Sequence, residues 1–131
     1  MDNKEFRSLL ESLILHWQRS SQAYADYMEN GKKFRYAEIL KLHNTAARNL
    51  LIDNMAIIPG HFKKDAEAII GHYTIWSAKW NDLKNKLNPA PEDEFVFEND
   101  HRFPKDAARN FEAAFHHLLQ NKTPVETRPG V

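Results

Sequence analysis

The amino-acid sequence predicts an all-α protein: an antiparallel up-down bundle of three long helices (about 3–30, 33–57 and 61–87) with a shorter fourth (about 104–121) after an irregular loop. Three observations predict it. Phe62, Ala66, Ile69, Tyr73, Trp76, Trp80, Leu83 and Leu87 alternate steps of four and three residues, the mark of a long helix with one buried seam. The same rhythm runs through Phe6, Leu10, Leu13, Trp17, Ser20, Tyr24 and Tyr27. The links at Gly31 and at Pro59-Gly60 are short, which makes successive helices antiparallel neighbours. A helix with one apolar stripe is not stable alone in water and must lay that stripe against partners.

Each element follows in order. Asp2 and Glu5 are spaced as a capping box, and the first helix runs to the stop signal Asn30-Gly31. The second has a broader apolar arc, with Tyr36, Leu40, His43, Ala47 and Leu50 on one face and Ile39, Leu51 and Ile52 widening it. Such breadth predicts contact with two neighbours. Ile58-Pro59-Gly60 ends it, because proline disfavours helical geometry in the residue before it. The third helix carries Asp65 and Glu67 early and Lys79, Lys84 and Lys86 late, the polarity its dipole favours. Asn88-Pro89-Ala90-Pro91 terminates it. Residues 92–103 lack a helical period and hold Phe95, Val96, Phe97 and Phe103. The alternation around Phe95 and Phe97 allows a short extended piece, and the four apolar side chains predict a loop pinned to the bundle. Pro104 suits the first position of the fourth helix, Asp106 lies in its first turn, and Ala108, Phe111, Phe115 and Leu118 form its seam. Residues 1–122 are expected to be a single domain and 123–131, with Pro124, Pro129 and Gly130, a flexible C-terminal tail. The architecture resembles spectrin-type bundles, a resemblance that implies no function.

Composition narrows the classes. The chain has 131 residues, 42% apolar and 27% charged, which suits one folded domain and argues against global disorder. Lys plus Arg and Asp plus Glu each number 18, so nucleic-acid binding through phosphate neutralisation is not favoured. With no cysteine, thiol catalysis, disulfides and iron–sulfur clusters are excluded. The apolar stretch 9–17 is interrupted by Glu11, Ser12 and His16 and is followed by no small-residue cleavage pattern. No membrane span is expected, and a cytoplasmic location is the expectation.

Candidate chemistry rests on a few side chains. His16 lies 15 residues before Gly31 and His43 12 after it; His43 lies 16 before Pro59 and His72 13 after it. At about 1.5 Å per residue the three reach similar heights, within roughly 6 Å. His16, His43 and His72 are therefore alternative ligands for zinc or iron. No predicted helix carries the Glu-x-x-His spacing of ferritin-like di-iron bundles, and the four-residue His and Glu spacing of hemerythrin-like bundles occurs only reversed, at Glu112 and His116. The competing expectation is that the three imidazoles flank the core and hydrogen-bond across helices.

The segment Arg109-Asn110 to His116 is similar to the R-x(4–6)-H motif of HEPN-family ribonucleases, small all-helical domains that carry the motif late in the chain. That resemblance implies Arg109 and His116 as an alternative catalytic pair at a dimer cleft, engaging the scissile phosphate and the 2′-hydroxyl. Seven-residue spacing puts both on one helical face. The plainer expectation is that Arg109 pairs with Asp106 or Glu112.

Trp17, Tyr24, Tyr27, Tyr73, Trp76, Trp80, Phe111 and Phe115 are expected mainly as core, although such a set also suits a pocket for a planar ligand. The acidic run lacks the glycine of a calcium loop. Glu92, Asp93, Glu94, Phe95, Phe97 and Asp100 are the expected partner-binding loop, able to dock a basic surface. The leading expectation is a non-catalytic interaction or regulatory module with a protein partner and no cofactor. Leu9, Leu51 and Ile52 lie off the stripes, available for a fourth neighbour or a homodimer face.

Overall fold

The computed structural model describes residues 3–99 and 101–122. The capping residue Asp2, the loop residue Asp100 and the tail 123–131 lie outside them. The described chain is an all-α bundle: α1 (Asn3–Glu29), α2 (Phe34–Asp53), α3 (Lys63–Leu87) and α4 (Lys105–Lys122), with 3₁₀ turns at Met55–Ile57 and Gly60–Phe62. No described helix is long and apolar enough to cross a membrane.

The helix ends follow local chemistry. Gly31 takes a left-handed φ of 74° and Lys32 one of 54°, and the Lys32 N–H donates to the Tyr27 carbonyl at 2.8 Å. This is the long bond of a Schellman cap, which satisfies a carbonyl the last turn leaves open. Asn88 ends α3 in the simpler left-handed cap, at φ 44°, ψ 57°, its N–H donating to the Lys84 carbonyl four residues back. The second helix is shorter than its apolar arc suggests. Asn54 turns its amide and its backbone N–H back onto the Leu50 carbonyl, and the chain tightens into the 3₁₀ turn. The third helix starts at Lys63 and the fourth at Lys105, after 3₁₀ geometry at 60–62 and after Pro104.

The N-terminus of α2 is capped by the loop. Lys33 offers no side-chain cap; instead the Phe34 N–H donates to the Asp93 carbonyl at 2.8 Å and the Arg35 N–H to the Pro91 carbonyl at 2.9 Å. The Phe95 N–H returns to the Lys32 carbonyl at 2.8 Å. Donors that a helix cannot satisfy internally thus hold residues 91–95 in place. The expected extended piece is reduced to one isolated antiparallel bridge, Lys33 with Glu94.

The core has two parts. One gathers Phe6, Leu9, Leu10 and Leu13 of α1, Ala47 and Leu51 of α2, Ile58, Ala66, Ile69 and Tyr73, with Ala107 and Phe111 of α4. The other gathers Tyr27, Phe34, Ala37, Trp76, Trp80 and Phe95. Helix α4 completes the first part only; in the second its place is taken by Phe95, with Phe97 packed alongside.

Two stripes are rotated from expectation. In α2 the buried residues are Phe34, Ala37, Asn44, Ala47 and Leu51, whereas Tyr36, Leu40 and Leu50 are half-buried. Small residues on this face allow close packing, which hydrophobicity alone under-reads. In α1, Ala23 is buried while Tyr24 is 53% exposed. Leu9 and Leu51, expected to meet a fourth neighbour or a homodimer face, belong to the first core together with Ala107 and Phe111 of α4; Ile52 is exposed.

Candidate functional site

The stretch where the two cores adjoin is polar. Across α1 and α2, the Ser20 hydroxyl donates to Asn44 Oδ1 at 2.6 Å, and Asn44 is itself buried. One turn away, His16 and His43 face each other with Nδ1 atoms 3.0 Å apart. Across α3 and the loop, His72 and His101 do the same at 3.2 Å. Two facing ring nitrogens make a hydrogen bond only when one donates and the other accepts, so each pair tolerates a single added proton.

The electrostatics agree. Burial holds His72 below the ordinary histidine value, the facing His101 lowers it further, and the Arg102 backbone carbonyl opposes both. His16 is lowered by burial and by Arg19. His43 is lowered by burial, then by His16 and Arg19.

A cavity of about 660 Å³ opens here. Its floor is buried: Tyr27, Ala37, Asn44, His72, Tyr73, Trp76 and Trp80. Trp17, Phe97 and Phe103 form the flanks, and the exposed side chains of Ser21, Tyr24, His101, Arg102 and Lys105 the rim. All three tryptophans of the chain line it. Phe103 stands edge-on to Trp17 and His72, with ring centroids at 6.2 and 5.3 Å, and Phe97 edge-on to Trp76 at 5.3 Å. The Trp80 indole N–H is buried without a hydrogen-bond partner. Lys41 Nζ sits 4.9 Å from the Trp80 ring centroid, in the range of a cation–π contact. The Trp17 indole N–H is likewise buried without a hydrogen-bond partner, and burial raises the Tyr73 phenol far above its ordinary range.

The residues singled out from the sequence are distributed differently. His16, His43 and His72 do not meet as a triad: the first two form one pair, and the partner of His72 is His101. Among the described residues no group of three or more His, Asp or Glu is placed to hold a metal ion. Counting helical rise took no account of the loop that supplies His101, whose position no periodicity reveals. Arg109 and His116 are both exposed on α4, and Arg109 reaches Asp106 at 3.3 Å.

The expected partner-binding loop is largely turned inward. Phe95 is wholly buried and Phe97 half-buried, because they fill the end of the bundle that α4 does not reach. Glu92 is held by Lys33 at 3.0 Å and by Arg35, and these cations keep its carboxyl below the ordinary range. Asp93 Oδ2 accepts from the Ala90 N–H at 2.8 Å, and Glu94 is exposed beside its bridge to Lys33.

Tyr27 is the residue the sequence pattern undervalued. Its hydroxyl donates to the Phe95 carbonyl and accepts from the Phe97 N–H at 3.0 Å. Its buried phenol finds its partners in backbone, and burial raises its pKa. The only prior signal was the rule that a tyrosine buried in a seam needs a partner for its hydroxyl. Comparison of the whole chain with family models, with curated proteins and with solved structures finds no match.

Proposed function

We propose that the chain is a non-catalytic interaction or regulatory module whose recognition element is the central cavity, taking a small, flat, largely apolar ligand. One observation carries the reading. A half-open cleft of about 660 Å³ lies between the two cores, lined by many aromatic rings and a few polar side chains. That volume lies within the range of small-molecule sites, as does the mixture of many apolar groups with a few polar ones. The pairing of His72 with another imidazole, and not with a nucleophile or carboxylate, favours binding over acid–base chemistry.

Regulation follows from the wall. Phe97, Asn99, His101 and Phe103 belong to the loop that also caps α2. A ligand that binds one arrangement of this loop better biases the loop toward it. Glu94, Val96 and Glu98 face outward on the same segment and form the surface offered to a protein partner, in a cytoplasmic setting.

Intrinsic fluorescence tests the reading directly, since every tryptophan lines the cavity. A neutral planar probe, 2-naphthamide, is expected to change tryptophan emission saturably with one-to-one stoichiometry by calorimetry. Leu40→Trp, which fills the cavity, should abolish binding while circular dichroism and cooperative unfolding are retained. Non-saturable emission changes, or calorimetric binding unaffected by Leu40→Trp, would overturn it.

A further inference from the structure

The charge of the cavity wall is one-sided. The chain as a whole balances 18 basic against 18 acidic residues, yet the charged side chains lining the cavity are Arg102 and Lys105, and none of the described lining residues is Asp or Glu. Both cations lie at the rim, on one side of the opening, where the loop passes into α4. The N-terminus of that helix adds positive potential there. The one acid of its first turn, Asp106, is paired with Arg109 at 3.3 Å. Below the rim the surroundings change to rings: Phe103, Trp17 and Tyr73.

Resting on the reading of the cavity as a ligand site, we propose that its ligand is an aromatic carboxylate, the ring system against the aromatic lining and the carboxylate at Arg102 and Lys105. Guanidinium presents paired N–H donors that match a carboxylate's two oxygens, and an ammonium adds a point charge. The arrangement orients the ligand: a charged end stays at the solvated rim, where its desolvation cost is low, and the ring is buried. An inner polar group, Asn44, then selects among ring systems by the polar atoms these carry.

The test compares 2-naphthoic acid with its neutral counterpart 2-naphthamide on the full chain at pH 7.5 and low salt, by calorimetry and tryptophan emission. The acid is expected to bind about tenfold more tightly than the amide, the size of a charge-assisted hydrogen bond. In the Arg102→Gln, Lys105→Gln double variant the ratio of the two affinities should fall to about one. These positions are exposed, so the variant is expected to fold; circular dichroism checks this. Equal affinities for acid and amide in the native chain overturn the carboxylate assignment and leave the cavity reading standing. If neither compound binds saturably, both fall.

Discussion

The Tyr27 hydroxyl and the Phe97 backbone N–H meet at 3.0 Å, with the same hydroxyl donating to the Phe95 carbonyl. A single phenol on α1 thus serves as both donor and acceptor for an irregular loop 68 and 70 residues further along the chain. Through it the loop that walls the cavity is fixed to the helix that forms the opposite wall.

Tyr27→Phe keeps the ring and removes both hydrogen bonds. It strands a buried carbonyl and a half-buried amide, so a loss of about 1–3 kcal/mol is expected in urea denaturation. Hydrogen exchange at the Phe97 amide should accelerate more than exchange in α4. A change under about 0.5 kcal/mol would show that water replaces the hydroxyl without cost.

Phe95 stands in for α4 at one end of the bundle, with ring centroids 5.0 Å from Phe34 and 5.3 Å from Trp80. Phe95→Ala should destabilise by about 3–5 kcal/mol, the range for deleting a buried aromatic ring. Val96 is its internal control: 42% exposed, it should tolerate alanine within about 0.5 kcal/mol. Comparable losses at the two positions would contradict the inward orientation of Phe95.

Two glycines predict opposite signs. Gly31 sits at φ 74° with open space where a Cβ would stand, so Gly31→Ala is limited by backbone strain and should cost about 1–2 kcal/mol. Gly71 lies inside α3, also with open space where a Cβ would stand. Gly71→Ala should stabilise by about 0.5–1 kcal/mol by restricting the unfolded chain and raising helix propensity. Thermal unfolding of the two variants beside the native chain measures both.

The histidine pairs give an acid limit. His16, His43 and His72 are lowered from 6.5 in the folded chain, so the unfolded chain binds more protons below that pH. Stability from these groups is complete above about pH 6.5 and is lost as pH falls through the folded values. Melting temperature should therefore drop between pH 7 and pH 5. The His16→Gln, His43→Gln double variant should flatten part of that drop. A melting temperature constant over this interval would rule out the pairing.

Much of the fold was legible in sequence because it is local. The α3 seam is buried at Ala66, Ile69, Tyr73, Trp76 and Trp80 as its spacing predicts, and Gly31 and Asn88 stop helices where left-handed geometry is needed. The α2 face was misjudged by about one residue, since Ala37 and Asn44 are small or polar and carry little weight in a hydrophobic pattern, although small size is what close helix packing requires. The candidate site was less legible. His72 was visible as an inward histidine, but its partner His101 lies on a loop with no period to count. Phe95 and Phe97 were recognisable as anchors, yet only packing shows that they serve the bundle's own core before any partner.

What the sequence by itself determined is therefore the set of helices, their stops and most of their buried stripes, each encoded within a few turns of chain. Tertiary structure alone decided that His16 pairs with His43 and His72 with His101, that Tyr27 holds the loop, and that rings from α1, α3 and the loop line a half-open cleft. Those relationships join residues 27, 29 and 68 positions apart. They are settled by how rigid helices and one capped loop fit together in space, where neither helical period nor residue type at a single position carries the information.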